Sequence, residues 1–124
     1  MDDKKSLGPY FDRQGNSITM MDWSAKLWDM NYKVIRQTNL PDGKLVSTVW
    51  LGMNHSFGPG PPKIFETMVF PSQGDFGEFD MDRYATEAEA IVGHEAMVAR
   101  WTPQQDQYEW DDIEEDWKND AAGG

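Results

Sequence analysis

Two histidines carry most of the chemistry open to this chain. His55 sits in the stretch Asn54 to Lys63, which holds two glycines and three prolines and lies between two apolar runs. A loop stiffened by Pro59, Pro61 and Pro62 can hold an imidazole where a ligand reaches it. Imidazole also changes charge near neutral pH. His55 can then act as an acid–base group beside a carboxylate. Equally, it can be a turn residue that caps loop carbonyls. Trp50, His55, Phe57 and Glu66 are the residues from which a small-ligand pocket, for a nucleotide for example, would be built at this loop. His94 and Glu95 are adjacent in a helical stretch. A zinc-binding HExxH pattern would need a second histidine at residue 98, which is Val98. The two histidines, His55 and His94, with Glu66 or Glu95, can at most join a mixed histidine and carboxylate site. For His94, a position on or near an apolar helix face fits better with a core histidine held to the sheet by one hydrogen bond.

Glu66 lies in the middle of IFETMVF, with apolar neighbours on both sides. Two registers are open. If Ile64, Met68 and Phe70 face the core, Glu66 faces it too and needs Arg36, Arg83 or His94 as a partner. If Phe65, Thr67 and Val69 face the core, Glu66 is solvated, and this second register is preferred. Asp75, Glu78, Asp80 and Asp82 crowd one segment, but their spacing is not that of a calcium loop. A solvated acidic loop is the simpler reading. No phosphate-cradling glycine motif and no nucleophile elbow is present. Nothing in the pattern calls for a metal or a cofactor.

The elements that would place these residues are readable from periodicity. Tyr10 and Phe11 precede a turn through Gly15 and Asn16. Thr19 and Asp22 then make a capping pair, with Ile18 and Trp23 at the staple positions. A helix should run from there to about Asn31, with Met20, Trp23, Leu27 and Met30 on one apolar face. Trp28 lies off that face. A strand from Tyr32 to Leu40 and a Pro41-Asp42-Gly43-Lys44 turn lead into a second strand, Leu45 to Met53. Both faces of that strand are partly apolar, as in a central strand. Ile64 to Phe70 is the third strand, and Pro71 to Arg83 reads as loop. A second helix starts at the Thr86 and Glu89 capping pair and reaches about Arg100. Its apolar side carries Ile91, His94, Val98 and Trp101, with Ala90 and Met97 beside them. Gly93 within it suggests close packing on the sheet. The expected fold class is α+β: a three-stranded antiparallel β-meander with two helices packed on one face, followed by an acidic C-terminal tail.

The expected division is a flexible start over 1–8, a single domain over 9–101 and a tail over 102–124. The chain has 124 residues, enough for one domain, and 39% are hydrophobic. There is no cysteine, so disulfides and thiolate chemistry are excluded. No run approaches the roughly 20 apolar residues of a membrane span. The first residues, MDDKKSLGPYF, lack the apolar stretch of a secretory signal. Net charge is −11, concentrated at the end: from Thr102 onward eight acids face one base. Such a chain grips nucleic-acid phosphates poorly and suits a protein partner with a basic surface. In the tail, Trp110, Ile113 and Trp117 recur at three and four residues among Asp111, Asp112 and Glu114. That pattern can dock in a partner's groove or on the protein's own sheet, and spaced carboxylates can also mimic DNA.

Three stretches, YFDRQGNSIT, VSTVWLGMNHSFGPGPPKIFETMVF and RYATEAEAIVGHE, together resemble a family of small proteins encoded by phages and prophages. The resemblance covers about Tyr10 to Arg100. It implies an accessory protein acting in the cytoplasm of a bacterial host, and implies no particular activity. The acidic tail is outside it. The leading expectation is therefore a non-enzymatic protein that binds a host or phage protein, inhibition being one effect such binding can have. A nucleotide sponge using the 54–63 loop is the alternative, and an enzyme built on His55 comes third. Oligomeric state is not readable.

Overall fold

The computed structural model describes residues 9–54, 58–72 and 80–103. Two short helices, α1 (Met20–Trp28) and α2 (Met30–Lys33), lead into strands β1 (Val34–Asn39), β2 (Leu45–Trp50), β3 (Phe65–Phe70) and β4 (Met81–Tyr84). The helix α3 (Glu87–Trp101) closes the order. The fold is α+β, with one antiparallel sheet in the order β1-β2-β3-β4. It has four strands, not the three expected. Three of the four β4 residues, Met81, Asp82 and Arg83, fall at the end of the Gly- and acid-rich stretch Pro71 to Arg83 that reads as loop. Pairing with β3, with Phe65 opposite Tyr84 and Glu66 opposite Arg83, overrides that weak local preference.

The expected first helix is interrupted. Thr19 caps α1, its hydroxyl accepting from the Asp22 amide. At Asp29 the carboxylate instead accepts from the amides of Asn31 and Tyr32, and a new one-turn helix starts. A short acidic side chain that bonds its own downstream backbone competes with helix continuation. The expected stripe is only half buried. Trp23 and Leu27 pack inward, while Met20 and Met30 are exposed. At α3 the cap is Thr86, which accepts from the Glu89 amide, and the Glu89 carboxylate reaches back to the amide of Ala85.

The three helices of the described residues lie on one face of the sheet. The inward rows follow from the register: Val46 pairs with Val69, Thr48 with Thr67, and Trp50 with Phe65. Val46 and Val69 join Leu40 and Met97 in one apolar cluster. Trp50 and Phe65 join Ile64 and Ala90 in the other, into which Trp23, Leu27 and Tyr32 pack. Between the two clusters runs a polar layer of Thr48, Thr67 and His94, all without solvent exposure. Residues 97, 94 and 90 of α3 follow the same sequence, apolar, polar, apolar, because spacings of three and four return to one helix face. A bulge between Val34 and Arg36 in β1 turns Arg36 onto the helix side, where it meets Glu95 at 2.7 Å.

Gly52 and Gly93 mark the closest approaches. Gly52 has a φ of 73°, and a Cβ there would stand 2.4 Å from the Trp50 ring and 2.6 Å from Trp23. Its bareness lets the Trp23 indole donate to the Leu51 carbonyl at 2.9 Å. At Gly93 a Cβ would stand 2.2 Å from the Tyr84 ring. The close packing expected of this glycine is found, and its neighbour is the edge strand.

Candidate functional site

Of the four residues assigned to a ligand pocket, the two that are described, Trp50 and Glu66, lie on opposite faces of the sheet. Trp50 is fully buried under the helices. Its indole donates to the Phe11 carbonyl at 3.0 Å, and its ring meets Tyr32 edge-on at 5.0 Å. Glu66 lies on the opposite face of the sheet, since it pairs with Val49 and Arg83, not with the inward row. His55 and Phe57 lie outside the described residues, and so do Trp110, Asp111, Asp112, Ile113, Glu114 and Trp117. The ends of the loop are tied, with the Lys63 amide donating to the Asn54 side chain at 3.0 Å.

The preferred register of the third strand is the one found: Phe65, Thr67 and Val69 face the core. Glu66 is nevertheless more than solvated. Its side chain is only 15% exposed, and Arg83 Nε donates to it at 3.1 Å. The acid cluster is also put to use. Asp80 accepts from Arg100 at 2.6 Å and from the Trp101 indole at 3.1 Å, which ties the end of α3 to the start of β4. These two bonds hold its carboxyl below the usual carboxylate range. Asp82 belongs to β4, whereas Asp75 and Glu78 lie outside the described residues.

His94 is a core histidine, as expected, but with two side-chain partners instead of one. Nδ1 is 2.7 Å from the Thr48 hydroxyl, and Nε2 is 2.8 Å from that of Thr38. Thr48 is also hydrogen-bonded to Thr67. Neutral imidazole donates from one ring nitrogen and accepts at the other, and a hydroxyl can do either, so the layer is self-consistent with an uncharged ring. Burial pushes the His94 pKa down, with nearby Glu95 pulling up and Arg36 pushing down. Tyr84 completes the layer at its edge. Its hydroxyl is buried beside Thr67 without a well-formed bond, and burial raises its pKa. A substrate has no access to this layer, because its central groups are sealed. Its consequence is positional: it registers α3 on the sheet.

What the structure turns outward is one side of α1. Met21 is 80% exposed and Trp28 83%. Ala25, also exposed, lies between them at spacings of four and three, so the three share a single helix face. Asp22 and Asp29 flank that face and are exposed as well. Lys26, the basic residue of α1, points elsewhere, over the Tyr32 ring at 4.9 Å. The result is an apolar stripe with an acidic margin. Scattered exposed apolar residues are ordinary; here two large ones, Met21 and Trp28, share a single helix face. Sequence reasoning placed Trp28 off the inward stripe but did not join it to Met21 and Ala25. The 21, 25, 28 spacing was the available signal.

Among the described residues there is no group of three or more His, Cys, Asp or Glu able to hold a metal ion, and no helix long and apolar enough to cross a membrane. Comparison of the chain with protein-family models, with curated proteins and with solved structures gives no match.

Proposed function

We propose that this is a non-enzymatic accessory protein of phage type that binds, and thereby blocks, a host or phage protein with a basic surface in the bacterial cytoplasm. The Met21, Ala25 and Trp28 side of α1 is the contact. The observation that carries this reading is the exposure of Trp28 on a capped helix whose neighbouring charges, Asp22 and Asp29, are both acidic. An apolar groove rimmed by lysine or arginine complements it, with the aromatic anchor giving affinity and the charges giving orientation and encounter rate. The net charge of −11, heaviest after Thr102, steers the same kind of partner from a distance. The commitment of the described polar groups supports a binding role over catalysis: His94 is sealed and Glu66 is held by Arg83.

The test is a pulldown from bacterial lysate with the full native chain beside a Met21→Ser/Trp28→Ser variant, followed by affinity measurement on the purified partner. The expected result is a basic protein retained by the native chain and weakened by about thirtyfold or more in the variant, the scale of a tryptophan hot spot. An unchanged set of captured proteins would remove α1 as the contact. Capture of nothing by either, with a thermal shift on addition of a nucleotide, would move the function to the 54–63 loop.

A further inference from the structure

The sheet face away from the helices carries its own pattern, independent of α1. The register sets out its rows. Val34, Val49, Glu66 and Arg83 lie side by side across the four strands. Gln37, Ser47, Met68 and Met81 form the next row. Leu45 and Phe70 follow. None of the described helices packs there. Phe70 is 44% and Met81 41% exposed, so two large apolar side chains open to solvent on one sheet face. On a chain of net charge −11, this face is locally neutral among the described residues, because its one acid and one base there, Glu66 and Arg83, neighbour each other.

We infer that this face binds a second copy of the chain, the two sheets stacking face to face across a two-fold axis. The charge arrangement argues for this occupant. An axis parallel to the strands, midway between β3 and β4, carries β3 of one copy over β4 of the other. Glu66 then faces Arg83 of the second copy, and Arg83 faces Glu66. The same operation sets Met68 over Met81. A two-fold contact requires a self-complementary surface, and this row is self-complementary in charge and in apolar character. A purely acidic or purely basic row would repel its own copy, and a basic partner would gain nothing from a neutral face. Stacked sheets lie about 10 Å apart, a gap that arginine, glutamate and methionine side chains fill from both sides.

The experiment is sedimentation equilibrium on the full chain, from micromolar to near-millimolar concentration, at physiological salt. A Debye length of about 8 Å there limits repulsion between the two acidic chains. The expected result is a concentration-dependent dimer. Glu66→Arg and Arg83→Glu each put like charges face to face and should raise the dissociation constant about tenfold or more, which corresponds to at least ~1.4 kcal/mol. The double exchange, Glu66→Arg with Arg83→Glu, restores both the internal and the crossed pairs and should return it to near the native value. Met81→Glu, at an exposed edge position, should also dissociate the dimer while leaving the circular dichroism spectrum unchanged. A monomer at every concentration would overturn the inference. So would a dimer indifferent to Arg83→Glu and Met81→Glu, or one abolished by Trp28→Ser, which would assign self-contact to α1.

Discussion

The Thr48 hydroxyl lies 2.7 Å from Nδ1 of His94, joining the middle of the central strand β2 to the middle of α3 inside a layer closed to solvent. Because Thr48 also bonds Thr67, one hydroxyl serves two buried partners. Removing it should be expensive out of proportion to its size. Thr48→Val keeps the shape but leaves His94 Nδ1 and the Thr67 hydroxyl unmatched, and a buried polar group without a partner costs about 1–3 kcal/mol. We expect a loss in that range by urea denaturation. Converting the whole layer, Thr48→Val, Thr67→Val and His94→Leu together, should recover much of it, since apolar groups of similar shape leave nothing unsatisfied. A single variant with native stability would mean that the layer contributes no registration.

The same layer makes the fold sensitive to mild acid. Burial holds the His94 pKa below its ordinary value near 6.5, so the unfolded chain binds a proton more readily than the folded one. Stability from the neutral ring is therefore fully present above about pH 6.5 and is lost as pH falls through the lower folded value. The charged groups facing this site do not reverse the sign: Glu95 favours the proton, Arg36 opposes it, and burial outweighs both. Urea midpoints at pH 7.5 and pH 5 should differ for the native chain. His94→Leu should flatten the part of that slope between the two values, leaving the carboxylates to act at lower pH. Identical slopes in both proteins would place the titration elsewhere.

Much of the frame was legible beforehand, for local reasons. Thr19 and Thr86 signal helix starts because capping chemistry is confined to four residues. The alternation of Phe65, Thr67 and Val69 identifies the buried side of β3 because strand period is two. The rest depends on distant contacts. Thr38, Thr48, Thr67 and His94 are far apart in the chain, and each alone looks like a common strand or helix residue. β4 exists only because β3 offers it a partner. The break at Asp29 is local but subtle, a side chain preferring its own backbone over helix continuation. The candidate contact on α1 was half visible, since Trp28 fell off the inward stripe but its joining with Met21 and Ala25 needed the helix to be seen bare.

Gly93 offers a sharp contrast between helix propensity and packing. In an exposed helix interior, glycine to alanine stabilises by about 1 kcal/mol. Here the new methyl would fall 2.2 Å from the Tyr84 ring. Overpacking of that kind costs about 1–3 kcal/mol, so Gly93→Ala should destabilise. In a Tyr84→Ala background the clash is gone, and the same change should become neutral or favourable. The double-mutant cycle reads the coupling directly. Additive effects would mean that α3 and β4 do not press on one another there.

Arg13 clamps the N-terminal turn to the start of α3. Its Nε and Nη2 donate to the two Glu87 oxygens at 2.9 and 2.6 Å, and Nη1 donates to the Tyr32 carbonyl at 3.1 Å. The hydrogen bonding from Arg13 to its carboxylate is the main reason Glu87 is held below the usual carboxylate range. Lysine keeps the charge but cannot form the fork. Arg13→Lys should therefore cost about 1 kcal/mol in thermal or urea unfolding, net of partial exposure to solvent. Equal stability would show that charge alone suffices at this site.

Trp28 separates stability from binding. Its ring is 83% exposed, so little apolar area returns to water on truncation. Trp28→Ser should change folding stability by no more than about 0.5 kcal/mol, the usual range for surface sites. The inward neighbour Trp23 behaves oppositely: half-buried, it packs against the Trp50 cluster and donates to Leu51, so Trp23→Ala should cost about 2–3 kcal/mol, below the range for a fully buried tryptophan. If α1 is the contact, Trp28→Ser loses the partner while the unfolding curve stays in place. If the unfolding curve moves by several kcal/mol instead, the ring is supporting the fold, and its exposure no longer argues for a partner.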